Sequence, residues 1–199
     1  MTPSDITLRE ALRRHLAENG FPPDGGLSEK WGVVRVGPVP LCIPNTKARR
    51  RATPIHDLNH VVSGCGHDAI GESEIGAFEL GGGCKTYSAA WIFNFAALGI
   101  GIWISPRRVF AAFVRGRRTG NLYGTDVAAL LDQPLDRVRT TLGLDSEYVG
   151  NLGDVVRFVG FVVLAPLFGL IPTAASIILT SPVWFTQGAH RQHRTVAEL

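Results

Sequence analysis

Charge is scarce in this chain of 199 residues: Asp, Glu, Lys and Arg make up 19%, against about a quarter in typical soluble domains. That scarcity excludes a disordered acidic chain and a charge-rich coiled coil. The 20 Lys plus Arg exceed the 17 Asp plus Glu by only three, too small a surplus to imply a nucleic-acid partner. Cysteine is also sparse. Cys42, Cys65 and Cys84 form no CxxC pair, and an odd number cannot all pair within one chain, so a reducing compartment is expected. The amino terminus has no basic-then-apolar run ending in a cleavage site, so cytoplasmic synthesis is expected.

What the chain has instead is apolar surface and glycine: 45% hydrophobic residues and 23 glycines, enough for one core in a single domain with peripheral segments. Residues 5–19 carry Ile6, Leu8, Ala11, Leu12 and Leu16 at helical spacing, with Ser4 as a cap and Gly20 as a stop. Residues 21–44 are broken by Gly and Pro and allow one strand at 31–36. Pro54 suits the first turn of a helix carrying His56 and His60. Glycines 64, 66 and 71 then force a loop before a second helix that ends at Gly81–Gly83. Short helices are expected at 122–131 and 134–142, the latter opened by Pro134 and stopped by Gly143. The expected architecture is all-α, with hydrophobic central and C-terminal helices.

Two long stretches carry no charge. Residues 86–106 reach the length of a membrane span, and suit a covered central helix or one touching a membrane. Residues 158–189 are uncharged throughout, but Pro166 and Pro172 should break or kink any helix through them. The chain therefore divides into a helical domain at 1–150, an apolar membrane-associating extension at 151–186 and a polar tail at 187–199. Arg107, Arg108, Arg115, Arg117 and Arg118 form a basic amphipathic segment suited to a solvated helix face, or to lipid headgroups or phosphate.

The chemistry concentrates at His56-Asp57-Leu58-Asn59-His60. Imidazoles four positions apart share one helix face and can grip one ion. Asp57 lies about 100° round the helix, either as a further ligand or as an acceptor that fixes an imidazole tautomer. Glu72 follows His60 after eleven intervening residues, and the glycine loop can return it to the site. Two imidazoles with one or two carboxylates suit zinc, and equally iron or manganese. His67 and Asp68 sit in the loop, where they could enter the site as a proton carrier but read first as an exposed turn pair; Glu74 and Glu79 read as solvated or paired to arginines, and His15 as part of the polar side of the first helix. A Cys65 nucleophile lacks an orienting group.

The pattern H-D-x-x-H, eleven residues, E, met by His56, Asp57, His60 and Glu72, resembles that of the ubiquinone (coenzyme Q) biosynthesis protein family, whose members include bacterial relatives. Residues 71–79, 114–117 and 134–144 are similar to its later segments. The resemblance implies a mainly helical fold and a divalent metal, usually taken as zinc, held by His56, Asp57, His60 and Glu72, which would also be the catalytic residues. It further implies a groove for a prenylated aromatic quinone precursor, oxidative decarboxylation at ring carbon 1, and contact with other quinone-biosynthesis enzymes. Location at the cytoplasmic side of the membrane, peripheral or anchored by the C-terminal apolar segment, would bring membrane lipid within reach, and a homo-oligomer is compatible with all of this. Two rival readings are a prenyl-lipid scaffold without turnover and a metal-dependent phosphohydrolase, which needs a further upstream His and a downstream Asp.

Overall fold

The computed structural model describes residues 6–36, 39–175 and 178, and for 33–36 and 39–42 the backbone alone. The polar tail expected at 187–199 and most of the apolar extension beyond 175 lie outside the described residues. Within them the fold is all-α and forms a single domain. The helices are α1 (Leu8–Glu18), α2 (Lys47–Ser63), α3 (Ala69–Gly82), α4 (Ser88–Ile104), α5 (Pro106–Arg118), α6 (Leu135–Leu142) and α7 (Leu152–Ala165). An antiparallel hairpin, β1 (Trp31–Val36) with β2 (Val39–Pro44), precedes α2, so the expected strand gains a partner despite the prolines of the second segment.

Local chemistry sets the helix ends. Thr7 caps α1, its side chain accepting from the Glu10 amide. Thr46 caps α2 in the same way through the Arg49 amide, which starts that helix earlier than Pro54 suggests and leaves the proline inside it. Asp68 stays exposed in the bend before α3, as expected of a turn residue, and also caps that helix by accepting from the Gly71 amide at 2.7 Å. The helix expected at 122–131 is a correction: only a single 3₁₀ turn, Val127–Ala129, forms there. Gly124 holds φ +83° and turns the chain away from helical geometry. Pro166 does not break the last helix either. Residues Pro166–Leu170 widen into a π-helical turn, in which the Ile171 N–H donates to the Pro166 carbonyl, and the apolar helix runs on from Leu152 to Ala175.

The core is built where α3 crosses α4 and α5. A Cβ on Gly116 would overlap the Phe78 carbonyl oxygen, and one on Gly81 would overlap that of Phe113. The missing side chains let the two helices touch backbone to backbone. Phe95, Leu98, Val109 and Phe113 fill one apolar cluster, which Phe158 and Ala165 of α7 complete. A second cluster gathers Leu8, Leu58, Val62, Ile75, Phe78, Leu122 and Val138 between α1, α2, α3 and α6.

The continuous helix that α7 begins, Leu152–Ala175, has an inner face in that core and an outer face that none of the described residues covers. Val156, Val159, Val163, Leu167 and Ile171 are each at least half exposed. Only 17% of its most apolar 18-residue stretch is buried in the protein. At 24 residues the helix is about 36 Å long, enough to cross the roughly 30 Å hydrocarbon layer of a bilayer or to anchor the chain to it.

Candidate metal centre

His56 and His60 sit one turn apart on α2, and Glu72 faces them from the first turn of α3. One ligand atom from each of the three lies within 4.8 Å of the others. The orientation of both rings follows from what their outer nitrogens touch. Glu79, a carboxylate that can only accept, takes a bond from His56 Nδ1 at 3.1 Å. The Cys65 backbone carbonyl takes one from His60 Nδ1, also at 3.1 Å. A neutral imidazole carries one N–H, so both Nε2 atoms are left bare, 3.2 Å apart. Glu72 Oε2 lies 3.6 Å from His56 Nε2, and Oε1 lies 3.6 Å from His60 Nε2.

Lone pairs therefore converge on one point from three side chains. Tetrahedral ligands about 2.0–2.1 Å from an ion stand roughly 3.3–3.4 Å from one another; the 3.2 Å between the imidazole nitrogens fits that size, and the carboxylate approaches each nitrogen at 3.6 Å through a different oxygen. Without an ion, a proton is the natural occupant. Burial pulls His56 down, but the charges of Glu79 and Glu72 and their hydrogen bonds outweigh it and hold the ring well above its ordinary value. His60 is pulled down, chiefly by burial. Burial pushes Glu72 up, yet its bonds to His56, His60 and His67 prevail, and it stays ionised.

Glu79 corrects the expectation of a solvated or arginine-paired residue. It is fully buried and accepts from His56 Nδ1, Asn59 Nδ2 (2.8 Å), Asn94 Nδ2 (2.6 Å) and the Tyr123 hydroxyl (3.1 Å). Burial and the adjacent carboxylate push the Tyr123 phenol far up, so it stays a donor. Asn59 also accepts from the Leu122 amide at 3.0 Å, tying α2, α3 and the 121–125 loop into one network. A carboxylate behind a ligating histidine fixes its tautomer and raises its basicity. The sequence carries one sign of this: Glu79 lies seven residues after Glu72, two turns along the same face of α3.

Histidines 15 and 67 also join the cluster: His15 against the expectation of a helix surface residue, and His67 by entering the site from the loop instead of standing as an exposed turn residue. His67 donates from Nδ1 to Glu72 Oε1 at 2.8 Å, stacks on His60 with ring centroids 4.1 Å apart, and meets His15 Nε2 to Nε2 at 2.6 Å. Burial, then the neighbouring His67 and His60, depress His15 to about 4, so it is neutral near pH 7. An open cleft of about 370 Å³ between α1 and α2 reaches His15, His60 and Cys65.

Asp57 does not join the three ligands. Its Oδ2 faces the loop before β1, 3.3 Å from where a Cβ on Gly25 would stand, and burial raises its pKa. Burial also pushes the Cys65 thiol up, away from the nucleophilic thiolate. Of the five arginines, Arg108 pairs with Glu74 at 2.7 Å, and Arg117 and Arg118 hold the buried Asp154 at 2.9 and 2.7 Å. Arg115 donates to the carbonyls of Ser63 and Leu144, so only Arg107 has no partner among the described residues. Comparison of the chain with protein-family models, with curated proteins and with solved structures finds no match.

Proposed function

We propose that the chain is a membrane-associated metalloprotein that acts in ubiquinone or related prenyl-quinone biosynthesis on a prenylated aromatic acid. One observation carries the metal part: two bare imidazole nitrogens 3.2 Å apart, with a carboxylate facing both. The substrate class rests on the H-D-x-x-H, eleven residues, E pattern together with the exposed apolar face of α7. A long prenyl tail, at roughly 0.8 kcal/mol per buried methylene, would be held by such surfaces or by the bilayer beside them.

His56, His60 and Glu72 would hold zinc, iron or manganese. A bound divalent ion would stabilise negative charge on the substrate carboxylate and its neighbouring oxygen as a Lewis acid. Glu79 and the Cys65 carbonyl hold both imidazoles in the binding tautomer. Glu72 is half-buried, its side chain 40% exposed. Replacing a ring carboxyl by hydroxyl from water releases carbon dioxide, two electrons and two protons. We assign the acceptor role to dioxygen, which leaves as hydrogen peroxide. Cys65 and Cys84, neither in a disulfide, suit the cytoplasmic face of a membrane.

Metal analysis of protein purified without added metal, paired with an assay on a prenylated 4-hydroxybenzoate derivative, tests this reading. Stoichiometric metal in the wild type but not in His60→Ala, with formation of the decarboxylated, hydroxylated ring, is the expected result. Equal metal in both forms would refute the centre. A lipid scaffold without turnover is favoured by the uncovered face of α7, and co-purified lipid with no product under any metal or oxidant would select it. The phosphohydrolase reading gains an upstream histidine, His15, in the cluster, but Asp57 faces the Gly25 loop and supplies no ligand.

A further inference from the structure

The His15–His67 pair is not explained by ion binding itself. Both nitrogens of His67 are already taken: Nδ1 by Glu72 Oε1 at 2.8 Å and Nε2 by His15 Nε2 at 2.6 Å. His67 therefore has no lone pair left for an ion. Its ring is clamped on three sides, stacked on His60 at 4.1 Å, tilted against His15 at 4.5 Å, and edge-on to Phe21 at 5.6 Å. Glu72 differs from the two ligating imidazoles in having a side chain 40% exposed and, among the described residues, no carboxylate or backbone group steering it.

We propose that His67, held by His15 from α1, is a positioning residue that steers Glu72 to bind a divalent metal ion through Oε2 alone. This rests on the metal-centre reading above. The proton inventory runs one way. Glu72 only accepts, so His67 Nδ1 donates to it, His67 Nε2 is bare, and His15 Nε2 donates to that atom. Both oxygens face the imidazole pair, Oε1 at 3.6 Å from His60 Nε2 and Oε2 at 3.6 Å from His56 Nε2, but the His67 bond engages a lone pair of Oε1 and leaves Oε2 the freer oxygen for the ion. A glutamate side chain is among the richest in rotamer freedom, and a fixed donor removes part of that ordering cost before the ion arrives.

Helix α1 delivers His15 because its start is fixed from far along the chain. Leu8 N donates to the Gln133 carbonyl and Arg9 N to that of Leu131, both at 2.9 Å, while Leu135 N donates to the Ile6 carbonyl at 3.0 Å. Arg9 also pairs with Asp132 at 2.8 Å. The α6 end of the fold thus sets the position of a histidine acting on Glu72 through a second histidine.

The test is titration of the metal-stripped full chain with Co(II) and with Zn(II) against a chromophoric chelator. It is read as affinity and as the visible absorption of the Co(II) form, which weakens when coordination number rises. Wild type should bind one equivalent. His67→Ala should bind about 10- to 100-fold more weakly, with a weaker visible band as Glu72 adds its second oxygen. His67→Asn, whose side-chain amide stands near Nδ1, should restore both affinity and band. His15→Ala should weaken binding in the wild-type background and have no effect in His67→Ala, while His15→Gln should be close to wild type. Equal affinity and spectrum in wild type and His67→Ala, or no rescue by His67→Asn, would overturn the positioning role and leave the centre standing. Failure of wild type to bind either ion would overturn the centre, and this inference with it.

Discussion

Replacing Glu79 by Gln tests the frame of the site most directly, since it keeps volume and shape and changes only what the group can accept. In the native protein one buried carboxylate receives four donors: His56 Nδ1, Asn59 Nδ2, Asn94 Nδ2 and the Tyr123 hydroxyl. The carbonyl of Gln can serve the His56 and Asn59 side, but its amide nitrogen then faces Asn94 and Tyr123 donor to donor. Hydrogen bonds to a charged group contribute about 1.5–3 kcal/mol each, and a buried unsatisfied donor costs about 1–3 kcal/mol. Relief from burying a charge offsets part of the loss. The expected net cost of Glu79→Gln is about 2–3 kcal/mol, a Tm lower by roughly 4–12 °C for a chain of this size. Urea and thermal unfolding of metal-stripped protein measure it. Zn(II) affinity should fall about 10- to 100-fold in the same variant, because a neutral amide carbonyl behind His56 no longer raises the basicity of its Nε2. Adding Tyr123→Phe, which removes one stranded donor, should cost less in Glu79→Gln than in the wild type. Unfolding at the wild-type midpoint together with unchanged Zn(II) affinity would refute the assignment of Glu79 as the group that orients His56.

Three further outcomes follow from other parts of the fold. Gly116→Ala places a Cβ against the Phe78 carbonyl and should destabilise the protein by about 1–3 kcal/mol or more in urea unfolding, whereas Gly160→Ala, with open space around it, should not. His15 is depressed to about 4 in the fold against about 6.5 unfolded, so the unfolded chain binds the proton first and stability is lost as pH falls from about 6.5 to 4. The full shift corresponds to about 3 kcal/mol, reduced to roughly 1–2 kcal/mol for a half-buried, screened ring. His15→Gln should lose that much less stability than wild type between pH 7 and pH 4. Val156→Asp with Val163→Asp, both on the outer face of α7, should shift the protein from the floating to the soluble fraction in vesicle flotation without changing its circular dichroism.

The two imidazoles and Glu72 were legible in the sequence because their meeting is nearly local: one helical turn, one glycine loop, and an N-cap at Asp68 that fixes where α3 begins. Helix α6 was legible for the same reason, with Gly143 at φ +75° closing it. What escaped depends on contacts between distant segments. Tyr123 reaches Glu79 across 44 positions and His67 reaches His15 across 52, and no periodicity encodes such meetings. The arginine run at 107–118 reads as one surface, yet Arg115 turns inward to the Ser63 carbonyl at the end of α2, where Arg139, outside that run, takes the carbonyls of Val61 and Val62. Those carbonyls lack intrahelical donors. Asp57, left open between two roles by its angle on the helix, is decided by the Gly25 loop, whose position follows from the hairpin and Asn45. That side chain donates to the Gly26 and Glu29 carbonyls.

The two-sided character of α7 constrains how the protein can be handled. Phe158 and Phe161 stack into the aromatic group of Phe95, Phe110 and Phe113, and Asp154 neutralises Arg117 and Arg118. Truncation before residue 152 in pursuit of a detergent-free fragment would open that aromatic group and strand two guanidinium groups. Solubility has to be engineered by exchanging side chains along the bare stripe, since the greasy segment is also a supporting wall of the domain.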